Sequence, residues 1–556
     1  MGSVTDKFDV LTPEAPLVNS GYKLQDNMER EQGRVFLTGT QALVRLLVTQ
    51  KKLDAARGLH TAGFVSGYRG SPLGAVDQEL WRAKDLLDKH EIAFLPAINE
   101  ELGATAVLGS QQVETDPTRK VEGVFAMWYG KGPGVDRSGD ALKHGNAYGS
   151  SPHGGVLVVV GDDHGCVSSS IPHQSEQALI AWGMPVINPA NIQEYLEFGL
   201  YGWALSRYSG NWVGFKAISE TVEGGAVVEL PSPATCTDPT DYTRPEGGLH
   251  YRWPDLPSLE IEQRVAEKLN AVRAFARVNS IDRMVVRAPN AKLGIIGAGK
   301  AWLDLVEALA RMGLPLQRLD EAGIRMYKPG LTWPLEPTRL MEFAQGLEEI
   351  LVVEEKDAVI EQQVKNLFYN LPEGARPKVL GKTDSAGQPL LTALGELRPS
   401  RIAPVLVRWL SPRLPGHNLA QHLPHFCKEE LASAAPGTVK RTPYFCSGCP
   451  HNTSTRVPEG SRAQAGIGCH FMAAWMDRDT GTLTQMGGEG VTWAAASRFV
   501  KEKHIFQNLG DGTYYHSGYL AIRQSIAARS NITYKILYND AVAMTGGQPV
   551  DGKLSV

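Results

Sequence analysis

Two short stretches near the C-terminal end hold the residue types that a metal-bound diphosphate needs. Gly510-Asp511-Gly512 stands at the end of an expected strand and opens a helix, and Asn539 closes the next strand after 26 intervening residues. In a parallel sheet, loops leaving two neighbouring strands lie side by side at the carboxyl edge, where such folds take ligands. A diphosphate carries several negative charges, and Mg2+ offsets them through hard oxygen ligands. Asp511 offers a carboxylate, Asn539 a side-chain carbonyl and Ala541 a backbone carbonyl. The glycines let the backbone approach closely, and the N-terminus of the following helix adds a favourable dipole.

Other stretches carry polar groups in loop-like surroundings. Asn99-Glu100-Glu101 ends a short apolar run and precedes a helix of small residues, a pattern that also suits an ordinary helix N-terminus. Gly67-Tyr68-Arg69-Gly70-Ser71-Pro72 leaves a short strand as a Gly/Pro loop. The Gly-rich, charged run 131–146 reads as a phosphate-cradling or substrate-facing loop, with Arg137, Lys143 and His144 as its polar candidates and His173 as a similar one further on. Cys446 and Cys449 form a C-x-x-C pair and Cys469 follows, a spacing suited to metal or cluster ligation; the plain alternative is packing of small apolar side chains. The GAGK of 297–300 lacks P-loop spacing and reads as a simple strand-to-helix turn.

These residues need αβ elements to position them. The run 154–163 is nearly continuous in β-branched residues, as in a central parallel strand covered on both faces. Strands and helices alternate along most of the chain, which predicts an α/β protein of several doubly wound parallel-sheet domains. The expected boundaries are an N-terminal arm at 1–30, a first domain at 31–240, a connection with a helix at 241–290, an intermediate αβ domain at 291–398, a Pro-rich linker at 399–443 and a last domain at 444–556. The last domain stops soon after one strand and is expected to be incomplete, as in an N-terminal portion of a longer enzyme.

Bulk composition excludes several classes. The chain has 556 residues, 42% hydrophobic and 21% charged, with a net charge of −4, so neither a basic excess for nucleic acid nor an acidic tail is present. Six unevenly spaced cysteines suit thiols or a metal site in a reducing compartment rather than a disulfide framework. The N-terminus has no basic region followed by an apolar run, and no apolar stretch reaches the roughly 18 residues of a membrane span. A cytoplasmic location is expected.

The pairing of GDG with Asn539, continued by the sequence NDAVAMTGGQ, resembles the thiamine-diphosphate motif of the 2-oxo acid:ferredoxin oxidoreductases, and in particular the indolepyruvate:ferredoxin oxidoreductases. The resemblance implies pyrimidine-type and diphosphate-type cofactor domains flanking a transketolase C-terminal-like one. It implies thiamine diphosphate and Mg2+, with Mg2+ on Asp511, Asn539 and Ala541. Cofactor contacts are implied from Cys449, His451, Gly468, Gly510, Asp511, Gly512, Thr513, Asn539, Ala541 and Thr545. Glu100, with Gly109 nine positions on, matches the family's catalytic carboxylate, which hydrogen-bonds the cofactor's pyrimidine ring; a raised pKa in an apolar cradle is expected for it. The GYRGSP loop is similar to the family's GYPGTP, implying that Ser71, with Arg69, helps hold the substrate carboxylate, and Arg137 and His144 join them as substrate candidates. CSGCPH matches CPGCPH, which leaves Cys446, Cys449 and Cys469 as candidates for a 4Fe-4S cluster, although the family's clusters are expected on a part outside this chain.

The activity so implied is oxidative decarboxylation of 2-oxo acids, such as the arylpyruvate indolepyruvate, to acyl-CoA and CO2, with coenzyme A and ferredoxin as partners and a homodimer or a second subunit completing the assembly. The alternatives are a non-redox thiamine-diphosphate decarboxylase or carboligase, and a non-catalytic truncated subunit.

Overall fold

The computed structural model describes residues 21–230, 236–434 and 443–553. Most of the expected arm, residues 1–20, lies outside them. Three parallel-dominated sheets carry the structure, as the alternation of elements predicts. The first has seven strands in the order 331–333, 186–187, 212–216, 156–161, 123–131, 61–67 and 92–96, all parallel apart from the antiparallel edge 331–333. Val156–Gly161 is buried at every position, as a strand covered on both faces must be. Helices Gly39–Ala56 and Ile192–Ser209 pack on this sheet, and the first is fixed by a reciprocal cap between Thr38 and Gln41.

The second sheet has the order 378–380, 349–353, 293–297, 324–328 and 283–286, with only the last strand antiparallel. The turn after Leu293–Gly297 leads directly into helix Gly299–Arg311, as its sequence predicts. Two expected boundaries change. Arg283–Val286, placed by sequence in the connection, is an edge strand of the second sheet, while Leu331–Trp333 leaves the second domain to pair with Val186–Ile187 of the first. The linker expected at 399–443 is instead helical over Pro399–Leu410 and Leu423–Ala434. Ile402, Leu406, Leu410 and Phe426 of these helices complete the core on one face of the second sheet. Pro399 sits in the first turn, where its missing N–H costs nothing, and the helix also accommodates Pro404 in its interior.

The third sheet is small and parallel, in the order 480–481, 463–464, 505–510 and 532–537. No helix among the described residues is long and apolar enough to cross a membrane.

The chain segment after the third sheet docks on the first domain through Arg69. Its guanidinium pairs with Asp77 at 3.0 Å, donates to the carbonyl of Pro549 at 2.6 Å and pairs with Asp551. Asp77 is fully buried and also accepts from the Tyr129 hydroxyl. The Gln548 amide donates to the Gly74 carbonyl at 2.9 Å beside this pair. Arg69 therefore acts as a clamp between the first domain and the 549–551 segment. Replacing Arg69 with Met would strand the Asp77 charge in the interior, which costs about 3–5 kcal/mol. Urea denaturation should show that loss, and limited proteolysis should cut the 541–551 segment faster in the variant.

Candidate active site

The carboxyl edge of the first sheet faces the third sheet, and Glu100 stands between them. Strand Ile92–Pro96 ends there, and Asn99 caps the next helix by accepting from the Leu102 amide at 2.9 Å. That cap turns Glu100 inward and leaves Glu101 exposed. Gly103 lets the helix lie close on the sheet: a Cβ there would come 3.1 Å from the Cα of Gly67. Gly134 gives the Glu100 side chain its room, since a Cβ would fall 2.6 Å from its Cγ.

From the third domain, the His516 Nε2 reaches Glu100 Oε2 at 2.7 Å, and the Asn99 amide donates to the His516 carbonyl at 3.3 Å. His516 lies in a single π-helical turn, Tyr514–Gly518, a local irregularity common at functional positions. Burial pushes the Glu100 carboxyl up, but the charge and hydrogen bond of His516, with a contribution from Arg137, outweigh it and leave the group below its ordinary value. The raised pKa expected from the sequence is thus corrected, because the cradle contains an imidazole rather than only apolar groups.

Asp511 and Asn539 lie on adjacent strands, with Gly510 paired to Leu537 in register. Asp511 is buried; its Oδ1 accepts from the Gly512 amide at 2.9 Å, and its Oδ2 accepts from the amides of Asn539 at 2.9 Å and Asp540 at 2.5 Å. One carboxylate therefore ties both loops together. The exposed Asn539 side chain accepts from the Ala541 amide at 3.1 Å, which fixes the start of the following hairpin. Thr513 donates to the Ile467 carbonyl at 3.2 Å, and Thr545 donates to Gln548 at 2.7 Å.

Behind the Asp511 loop lies a group of buried polar side chains. A Cβ on Gly466, Gly468 or Gly510 would come within 2.6, 2.8 or 3.1 Å of the His470 ring, so these glycines make its slot. Burial, with His451 nearby, lowers the His470 pKa to about 3, and the ring is neutral. The His451 ring stands 6.2 Å from it, and Asp511 acts on His451 electrostatically. Nδ1 of His451, Nε2 of His470 and both amide atoms of Asn508 have no hydrogen-bond partner. Buried polar atoms left without partners are costly and mark sites where another group belongs. Asn508 and His516 are not evident from sequence patterns; the available signal was the position of His516 in the helix opened by GDG.

The cysteines are free thiols, and Cys449 closes a turn on the Cys446 carbonyl at 3.0 Å. Burial and the neighbouring sulfurs push the Cys469 thiol up. Among the described residues no group of three or more His, Cys, Asp or Glu is arranged to hold a metal ion, while Cys446 and Cys449 lie close enough to Cys469 to act on it electrostatically.

The substrate candidates separate. Arg137 reaches the cleft: its Nη1 is 3.5 Å from the Met486 carbonyl, its Nε is buried without a partner, and it acts on Glu100. Ser71 bonds Ser168 at 2.8 Å and Glu223 at 3.3 Å. His144 is exposed, bonds the Asp140 carbonyl of its own helix at 2.8 Å and packs on Tyr148, while the helix places its other face on the core. Lys143 is exposed as well.

His173 lies between Asp136 at 2.8 Å and Asp162 at 3.2 Å. Burial alone would lower its pKa, yet the two carboxylates lift it from 6.5 to about 9. Its contribution to stability is complete below pH 6.5 and is lost as pH rises through about 9. His173→Asn should therefore flatten the fall in urea midpoint between pH 6.5 and pH 9.

Comparison with known proteins gives a consistent set of relatives. Residues 283–425, the second sheet and its helices, match the family model described as an indolepyruvate oxidoreductase domain. The chain is 25% identical to indolepyruvate oxidoreductase subunit IorA of Methanothermobacter marburgensis, over 95% of this chain and 79% of that protein. It is 27% identical to the same subunit of Thermococcus kodakarensis, over 77% of this chain and 66%, just under two thirds, of that protein. Among solved structures, the 2-oxoglutarate:ferredoxin oxidoreductase from Magnetococcus marinus aligns with a TM-score of 0.47 and 16% identity, over 69% of this chain and 65% of that one. The chain is a relative of the IorA subunits of indolepyruvate oxidoreductase and carries that family's domain at residues 283–425.

Proposed function

We propose that this chain is the thiamine-diphosphate-binding part of an enzyme that oxidatively decarboxylates 2-oxo acids, arylpyruvates such as indolepyruvate, with coenzyme A as acyl acceptor and ferredoxin as electron acceptor. The observation that carries the reading is the Asp511 carboxylate tying the GDG and Asn539 loops together, with Glu100 facing the turn that follows. The residues fit the group. Partnerless polar atoms on His451, His470 and Asn508 lie beside a glycine-lined loop, and a metal-bound diphosphate would give them partners.

Asp511, Asn539 and the Ala541 carbonyl would hold Mg2+, and Gly510, Gly512 and Thr513 would form the cradle of the diphosphate. Cys449, His451, Gly468 and Thr545 belong to the surrounding wall in this reading. When bound, the cofactor supplies the carbon nucleophile and electron sink for decarboxylation. Glu100 would orient the pyrimidine ring by a hydrogen bond and exchange a proton with it. Arg137 is the group of this cleft suited to a substrate carboxylate, with Ser71, on the loop after strand 61–67, as a further candidate. Iron–sulfur electron carriers belong to the proposed assembly, together with a second subunit or second copy of the chain, and no described residue is assigned to a cluster. The proposed setting is the cytoplasm.

Two substitutions test this. Asp511→Ala should weaken Mg2+-dependent thiamine diphosphate binding by at least roughly tenfold, about 1.4 kcal/mol, in isothermal titration; unchanged affinity removes Asp511 from the site. Glu100→Gln should keep that affinity while decarboxylation of indolepyruvate is lost, and substantial remaining turnover would remove Glu100 from its role.

A further inference from the structure

Resting on the cofactor and substrate reading above, we infer that His173 is a positioning residue for the 2-oxo acid: by bracing Asp136 against Asp162 it holds the short turn that presents Arg137 to the substrate carboxylate. That turn, Gly132–Arg137, follows strand Gly123–Lys131. Gly134 of the turn lies against the Glu100 side chain, and Arg137 acts on the Glu100 charge.

The Arg137 guanidinium is weakly held at its tip. Its Nη1 reaches the Met486 carbonyl at 3.5 Å, the outer limit of a hydrogen bond, and its Nε is buried without a partner. The reach of such a side chain is set by the backbone it leaves. Partnerless donors in a cleft also mark where an acceptor belongs, and a carboxylate matches the guanidinium fork.

His173 fixes that backbone from behind. A Cβ on Gly132 would fall 2.3 Å from the imidazole Cγ, so the ring lies directly on the first residue of the turn. Its Nε2 meets Asp136, the residue before Arg137, at 2.8 Å, and its Nδ1 meets Asp162 at 3.2 Å. Asp162 is the anchor. It is fully buried just beyond strand Val156–Gly161, accepts from the Ser175 amide at 2.9 Å and hydroxyl at 2.6 Å, and pairs with Lys216. Two carboxylates on one ring need a donor on each nitrogen, and their charge keeps the imidazole protonated at neutral pH. The strut thus runs from the first sheet, through the ring, to the residue beside Arg137. The Asp136 side chain is 61% exposed, so its bond to His173 tethers the turn without filling the core. Small displacements of a substrate-orienting group are costly to binding and rate.

The test is equilibrium titration of indolelactate into the whole chain loaded with thiamine diphosphate and Mg2+. This 2-hydroxy counterpart of indolepyruvate keeps the carboxylate but has no 2-oxo carbon for the cofactor to attack. Arg137→Met should weaken indolelactate by at least roughly tenfold; unchanged affinity removes Arg137 as the carboxylate group, and this inference with it. His173→Asn keeps a donor near the Nδ1 position but falls short of Asp136. It should weaken indolelactate about fivefold while thiamine diphosphate binds within about threefold of the parent. His173→Gln, whose amide reaches the Nε2 position, should restore most of that loss. Asp136→Ala should match His173→Asn, and this exposed position decides the matter if His173→Asn fails to fold. Added to Arg137→Met, either change should weaken indolelactate no further, because the residues act in series. The inference is overturned if Arg137→Met weakens binding but His173→Asn and Asp136→Ala do not, or if their effect persists undiminished without Arg137. A parent chain that binds thiamine diphosphate but no indolelactate overturns the substrate reading beneath it.

Discussion

A carboxylate stays ionised inside a protein only where its charge is met, and Glu100 is met by His516 at 2.7 Å. That one bond joins groups 416 residues apart and belongs to two sheets at once. It places demands on both sides. The first domain must deliver Glu100 inward, which it does through the Asn99 cap and the glycine contacts at Gly103 and Gly134. The third domain must deliver His516 from the turn opened by GDG, and the π-helical register of Tyr514–Gly518 sets the ring's direction. A pair of this kind is costly to break, because removing one partner leaves the other buried and unmatched.

The remaining contacts protect that geometry. Arg69 holds the 548–551 segment on the first domain, and Gln548 adds its bond to Gly74. Because that segment continues from the Asn539 loop, the clamp also fixes the loop that Asp511 grips. The second sheet is anchored separately. Its strand Leu331–Trp333 joins the first sheet, Asp282 accepts from the amides of Gly330 and Leu331, and Lys328 pairs with buried Glu194. Residues of the matched indolepyruvate oxidoreductase domain thus brace the first sheet, whereas Glu100 and Asp511 lie outside that match.

The layers and the loop pair were legible in the sequence because they follow from local rules. The apolar run around Val156–Gly161 can only be a strand buried on both faces, and parallel neighbours bring Asp511 and Asn539 together whatever the rest of the chain does. Residues whose role depends on distant partners were not legible. Arg69 looked like a substrate ligand in its loop, but its carboxylate partner Asp551 lies 482 residues away. The run holding His144 reads as a Gly-rich loop, yet it forms a helix that turns His144 to solvent. The prolines after residue 398 suggested a linker, although the same residues are compatible with a helix start and a packed core.

The sequence by itself determined the αβ alternation, the glycine-flanked Asp511 loop and its pairing with Asn539, because each depends on side-chain periodicity and chain direction over a few tens of residues. Only the tertiary structure decided the charge state of Glu100, the presence of His516 beside it, the structural use of Arg69 and the partnerless atoms of His451, His470 and Asn508. Those properties arise from burial and from contacts between segments far apart in the chain, and neither is encoded in any local pattern of residues.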